Sequence, residues 1–221
     1  MEQKYTRFVG EKFHEDGSVR AFPGNTVISK ITPDMPIYVG LVEAWERLKA
    51  VEFAGKYAFL PPTSFHMTVM EGLCEQVRTP EQWSTKLSLH MPLAEVNQFM
   101  RDCFSRILLP RTLTMRIVSG VFSQLIVLYL EPADTDTAQA LKTFRDQFSR
   151  ETGIRFPRHD AYTYHISLAY NLIPLAASEE HMIQEEQQEI QHALSIKYPS
   201  FQLGRPRLTF FENMSQFEDA C

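Results

Sequence analysis

Apolar residues in this chain fall in two rhythms, and the switches between them mark the elements. From Pro36 to about Glu52 they recur at Tyr38, Leu41, Val42, Trp45 and Leu48, the spacing of a helix with one buried stripe. The same rhythm returns between Pro92 and Leu109, at Leu93, Val96, Met100, Cys103, Phe104 and Ile107, and Pro110 stops it. A third helix runs from a cap at Asp134 or Asp136 to Thr152, with Leu141, Phe144 and Phe148 as its stripe and Gly153 at its end. Ser178 caps a fourth, rich in Glu and Gln, which reaches Leu194. Between the helices the rhythm shortens to strands. NTVISKI follows a polar, turn-rich N-terminal arm (residues 1–23); KYAFLPPTSFHMTVM follows Gly55; TLTMRIVSGVFSQLIVLYLEP reads as two strands meeting near Ser119-Gly120; and PRLTFFEN is a last strand.

Two of these strands carry polar residues where a buried strand needs none. In FHMTVM, His66 and Thr68 share one face while Met67 and Val69 share the other, because successive strand side chains point to opposite sides. Taken alone this is an ordinary arrangement, a core histidine bonded to a neighbouring hydroxyl. It recurs in YHISL, where His165 and Ser167 are again separated by an aliphatic residue and followed by another. With seven histidines in the chain, two chance copies of His-apolar-(Thr/Ser)-aliphatic are expected on the order of a few per cent of the time. The pattern therefore marks a site. Each copy lies on a strand between helices, at a separation that suits one copy per lobe, and helices mixed with hairpins predict an α+β protein with antiparallel sheets. Two similar lobes facing each other, built around 66–69 and 165–168 within a single 1–221 domain, bring both histidines to one cleft.

Composition narrows the partners. With 44% hydrophobic and 22% charged residues the chain is ordinary for a globular protein, and a net charge of −5 argues against wrapping long nucleic acid, which needs a cationic face. A nucleotide or a short RNA end remains compatible. No uninterrupted apolar run approaches a membrane span, and MEQKYTRF lacks the cationic and apolar segments of a leader, so a cytoplasmic protein without membrane contact, and a monomer, is expected. Cys74, Cys103 and Cys221 stand far apart and outside zinc-site spacings, so reduced thiols are expected, with Cys103 in the core and Cys221 exposed.

The paired motifs resemble those of the two-histidine (2H) phosphoesterases, a family that includes cyclic phosphodiesterases and 2′,5′-oligonucleotide hydrolases. The chain looks most like a bacterial branch known as a domain of unknown function, with FPGNTVIS before the first lobe, and the likeness extends from about Asn25 to Phe211. It implies a bilobal, pseudo-twofold fold, two antiparallel sheets facing a central cleft with helices outside. It also implies a phosphoesterase with His66 and His165 as the catalytic pair, Thr68 and Ser167 as phosphate-binding hydroxyls, and no metal or other cofactor. Tyr170 stands where several relatives have a basic residue.

The chemistry is sound on its own terms. Opening a cyclic phosphate needs a base for the attacking water and an acid for the leaving ribose oxygen, and two histidines near neutral pH supply both. Arg158, in RFPRHD beside Arg155 and His159, is the best candidate for a further phosphate or ribose contact, with Asn25, Tyr57 and Tyr170 as other cleft candidates. His14 reads as part of a polar turn, and His90, His181 and His192 carry no role. Two other readings stay open: a non-catalytic nucleotide or RNA-end binding module with the same cleft, and a metallohydrolase with His66 and His165 as ligands.

Overall fold

Local chemistry ends the helices close to where the spacing predicts. In the computed structural model, which describes residues 4–120 and 124–220, Asp134 accepts a hydrogen bond from the Thr137 N–H at 2.6 Å to start one helix. Gly153 ends it at φ +72°, a left-handed conformation that glycine adopts without steric cost. The elements are a helical turn α1 (Phe8–Glu11), β1 (Gly24–Lys30), α2 (Pro36–Lys49), β2 (Tyr57–Phe59), β3 (His66–Cys74), α3 (Leu93–Phe104), β4 (Leu113–Val118), β5 (Leu125–Pro132), α4 (Thr135–Thr152), β6 (Tyr164–Asn171), α5 (Ala177–Lys197), β7 (Phe201–Leu203), β8 (Arg207–Asn213) and β9 (Gln216–Asp219). Ser178 is inside the first turn of α5 rather than its cap. Glu179 instead reaches back to the Ala176 N–H at 2.7 Å. The short strands β7 and β9 carry too few residues to show a period. Cys221 lies outside the described residues.

The strands pair antiparallel throughout. Where two sheets are expected from sequence, the described strands join into one, ordered β7-β4-β5-β6-β3-β1-β8-β9, with β2 also on β6. Its halves, β3-β1-β8-β9 and β6-β5-β4-β7, are each fully laddered. Among the described residues they meet at a single pair, Met67 with Ile166. Four helices cover one face. Leu41 and Leu48 of α2, Val96 and Met100 of α3, Phe144 and Phe148 of α4, and Ile183 and Ile190 of α5 pack on Met67, Val69, Met70, Ile126, Leu128, Ile166 and Leu168.

Both motif strands contain one extra residue at the same place. On β3, Thr68 is opposite Ile28 but Met70 is opposite Val27, leaving Val69 as a bulge; on β6, Ser167 is opposite Val127 but Ala169 is opposite Ile126, leaving Leu168. A bulge shifts the alternation by one. Glu71, opposite Thr26, therefore shares a face with His66 and Thr68, and Tyr170, opposite Leu125, shares a face with His165 and Ser167.

The N-terminal arm is built into the fold. Phe8, Phe13 and Phe22 are buried with Ala58, Leu60, Leu172, Phe211 and Met214 in a second apolar cluster, and Tyr170 packs against it. Main-chain bonds from Thr6 to Leu172, just past the end of β6, and from Phe22 to Glu212 of β8, both 2.8 Å, tie the arm to both halves.

Asn25 holds the bulged strand rather than lining a cleft. It is 1% exposed; its Oδ1 accepts from the Leu73 N–H at 3.0 Å and its Nδ2 donates to Asn97 Oδ1 at 2.9 Å. A Cβ on Gly72 would stand 2.2 Å from the Asn25 carbonyl oxygen, so only glycine fits there. Asn25→Ala is expected to lower unfolding free energy by roughly 1–3 kcal/mol, because the Leu73 N–H loses its partner. Gly72→Ala is expected to lower the urea midpoint by displacing the same contact; unchanged midpoints in urea titrations would refute this role.

Candidate active site

The pairing of Met67 with Ile166 sets the geometry. One residue to either side, it places His66 across from Ser167 and Thr68 across from His165, all on the face away from the helices. Imidazole and hydroxyl thus alternate around a four-cornered patch. Opposed side chains in such a pair have Cβ atoms about 4.5–5.5 Å apart and diagonal ones about 7–8 Å, so each histidine neighbours the other motif's hydroxyl while the two imidazoles stand on a diagonal.

Both imidazoles are oriented alike. His66 Nδ1 is 2.7 Å from the carbonyl of Ser64 and His165 Nδ1 is 3.0 Å from that of Thr163, each two residues upstream. A carbonyl only accepts, so each Nδ1 carries the proton and each Nε2 keeps its lone pair. Among the described residues neither Nε2 has a hydrogen-bond partner.

Burial then holds both rings neutral. It drives the His66 pKa down to about 4, against the bond to Ser64, with the proximity of His165 and of Lys30 adding to the fall. The His165 pKa is lowered in the same way, by burial first, opposed by the Thr163 bond and assisted by Arg158. Aromatic rings frame both: Phe217 lies 4.4 Å from the His66 ring and Tyr129, paired with His165 across the ladder, 6.5 Å from that ring.

Several groups on this face escape the motif pattern. Lys30, paired with His66 in the ladder, bonds Asp219 at 2.8 Å. Tyr162 lies near the Thr68 hydroxyl, and burial raises its pKa, with Glu71 adding to the rise. Beneath Tyr162 lies Arg145, 4% exposed, its guanidinium 4.4 Å from the ring centre. Arg145 donates to the carbonyls of Val69, at 2.7 Å, and His159, at 3.0 Å, and so binds the β3 bulge to the loop that leads into β6. A signal for it was available: Arg145 sits four residues after Leu141, on the apolar stripe of α4. Lys30 is also legible as the third of the alternating positions Thr26, Ile28 and Lys30. Glu71 is not, since only the bulge turns it to this face.

The remaining candidates divide. Arg158 is exposed and its charge acts on both His165 and Glu71, which places it at the rim of the patch. Tyr57 is buried among the helix-side core residues, next to the ring of Phe59, away from the motif face. Tyr170 is on the motif face, but its ring packs 5.0 Å from Phe8 and 5.2 Å from Phe13 and its hydroxyl faces the Met214 sulfur. His159 is buried with Nε2 3.3 Å from Asp146, turned to α4 instead of the patch. Among the described residues, Asp146, His159 and Asp160 could share a metal ion; the motif histidines are in no such group, and Lys142 and Arg155 already bond the carboxylates. Burial raises the Cys74 pKa to about 11, which keeps that thiol protonated.

Residues 12–125, just over half of the chain, match the family described as 2H-phosphodiest, domain of unknown function (DUF1868). The chain belongs to this 2H family. The match includes the first motif and ends before the second, so His165 and Ser167 rest on the structure's own symmetry. A crystal structure of a conserved protein of unknown function from Agrobacterium tumefaciens is similar along nearly the whole 2H chain, with 27% identity, 99% of this chain and 93% of that one covered, and a TM-score of 0.90. A Thermus thermophilus structure is 16% identical over 69% of this chain and 76% of its own, with a TM-score of 0.40, too remote to bear on the site. No curated protein matches the chain.

The depressed histidine pKa values make stability depend on pH. Between the ordinary value of 6.5 and about 4 the unfolded chain binds a proton that folded His66 refuses, so stability is fully present above 6.5 and declines as pH falls through that window. His165 acts with the same sign. Melting temperatures from pH 7.5 to 4.5 are expected to fall more steeply for the wild type than for His66→Gln; parallel curves would show that His66 is not held neutral.

Proposed function

We propose that this 2H protein is a metal-independent phosphoesterase acting on a 2′,3′-cyclic phosphate or a 2′-linked phosphodiester of a nucleotide or short RNA end. The observation that carries the reading is the four-cornered patch, with each Nδ1 tied to a carbonyl and each Nε2 unbonded. A phosphate seated between the Thr68 and Ser167 hydroxyls has an imidazole on each side. One Nε2 takes a proton from water as its oxygen bonds to phosphorus. The other imidazole, protonated as the phosphate anion offsets the burial that keeps it neutral, returns a proton to the departing ribose oxygen. The hydroxyls donate to the non-bridging oxygens as charge grows on them.

Other features favour a small substrate. The two half-sheets act as lobes of one bilobal domain, and the arm packs on Tyr170 at one end of the motif face. An end filled in this way favours a terminus over a strand running through. The net charge of −5 agrees with short rather than long nucleic acid. Lys30 and Arg158 supply the local positive charge, and the protein acts as a monomer.

His66→Ala and His165→Ala are each expected to lower kcat on a cyclic nucleotide at least about 10²-fold while leaving circular dichroism unchanged; retention of a tenth of wild-type turnover by either would remove its proton-transfer role. Thr68→Val and Ser167→Ala are expected to cost roughly 1.5–3 kcal/mol each in kcat/KM, whereas hydroxyls serving only the fold would lower melting temperature and leave kcat/KM intact. Activity is expected to survive EDTA and dialysis. Loss on chelation, restored by a divalent ion, would make the histidines metal ligands, and tight nucleotide binding without turnover would make the cleft a binding module.

A further inference from the structure

Resting on that reading, the cleft contains one group that phosphate chemistry does not call for. Glu71 is turned to the motif face by the β3 bulge and follows Thr68 as the next residue on that face, about 6–7 Å along the strand. Its carboxylate takes part in no hydrogen bond or ion pair of the described residues, although it is largely removed from water. Burial raises its pKa, and the nearby charges of Arg145 and Arg158 oppose the rise. The corresponding position on β6, Tyr170, is filled by the arm. Glu71 is thus the half of the pseudo-symmetric pair left available to a ligand.

An ionised carboxylate only accepts, and it repels phosphate oxygens, so its partner is a hydrogen-bond donor on the rest of the substrate. In a 2′,3′-cyclic phosphate both secondary ribose hydroxyls are esterified, and at the 3′ end of an RNA the 5′ oxygen is esterified too. At such an end the base carries the terminal nucleotide's remaining donors, and in a mononucleotide each free ribose hydroxyl offers one donor rather than an adjacent pair. Of the four bases, guanine alone presents two adjacent N–H donors, N1–H and N2–H, side by side as the two oxygens of a carboxylate require. The match is the fork geometry that pairs arginine with a carboxylate. We propose that Glu71 makes this cleft selective for guanine, accepting from N1–H and N2–H while Thr68 and Ser167 hold the attached phosphate.

The test uses the full chain, with the 2′,3′-cyclic phosphates of guanosine, adenosine, cytidine and uridine for turnover and the corresponding 3′-monophosphates for calorimetric binding. The wild type is expected to prefer guanosine by about ten- to a hundredfold in both measurements, and in Glu71→Gln and Glu71→Ala the ratio of guanosine to uridine should fall toward one. Equal affinity for all four 3′-monophosphates in the wild type, or a ratio unchanged by the substitutions, would overturn the inference without touching the histidine mechanism. Guanosine-selective binding without turnover of any cyclic phosphate would uphold Glu71 and overturn the phosphoesterase reading. The wild-type binding ratio decides the matter even where a variant fails to fold.

Discussion

The pairing of Met67 with Ile166 is the contact on which the rest of the site depends. Each half of the sheet completes its own ladder, and this pair joins them. It fixes the register between two strands from distant parts of the chain, and with a side-chain period of two a slip of one residue would send one motif into the helix-side core. Both residues of the pair are fully buried on that core face. The apolar packing that stabilises the fold therefore also aligns the polar patch on the reverse side.

Charge and burial are set against each other around this pair. The imidazoles are kept neutral by removal from water, while the side chains of Lys30 and Arg158 act on His66 and His165 respectively. A neutral Nε2 flanked by cations suits an anionic ligand, whose arrival restores the charge that burial disfavours. Arg145 contributes to geometry as well as field. Its two backbone acceptors lie on the β3 bulge and on the loop before β6, and a buried guanidinium left without them would be costly.

The two bulges give the site its asymmetry. They occur at matching positions, directly after each motif hydroxyl, and bring Glu71 and Tyr170 to equivalent places. The arm then covers one and leaves the other. Similar half-sheets thereby produce a motif face whose two ends differ in chemistry, acidic on the β3 side and aromatic on the β6 side.

Much of this is written in local pattern. The period of α2 through α4, the Asp134 cap, the Gly153 stop and the two His-x-(Thr/Ser) motifs depend on neighbours within a few residues, and neighbours along the chain are what a sequence displays directly. Alternation alone puts His66 with Thr68 and His165 with Ser167. It fails where long-range pairing intervenes. Asn25 reads as a cleft residue until its bonds to Leu73 and Asn97 appear, Tyr57 until its strand is seen to face the helices, and Glu71 stays hidden because its face is set by a bulge opposite β1. The local residues thus specify which chemical groups are available. Which of them meet is decided by the register of strands far apart in the chain, and that register follows from burying the apolar face of the whole sheet at once.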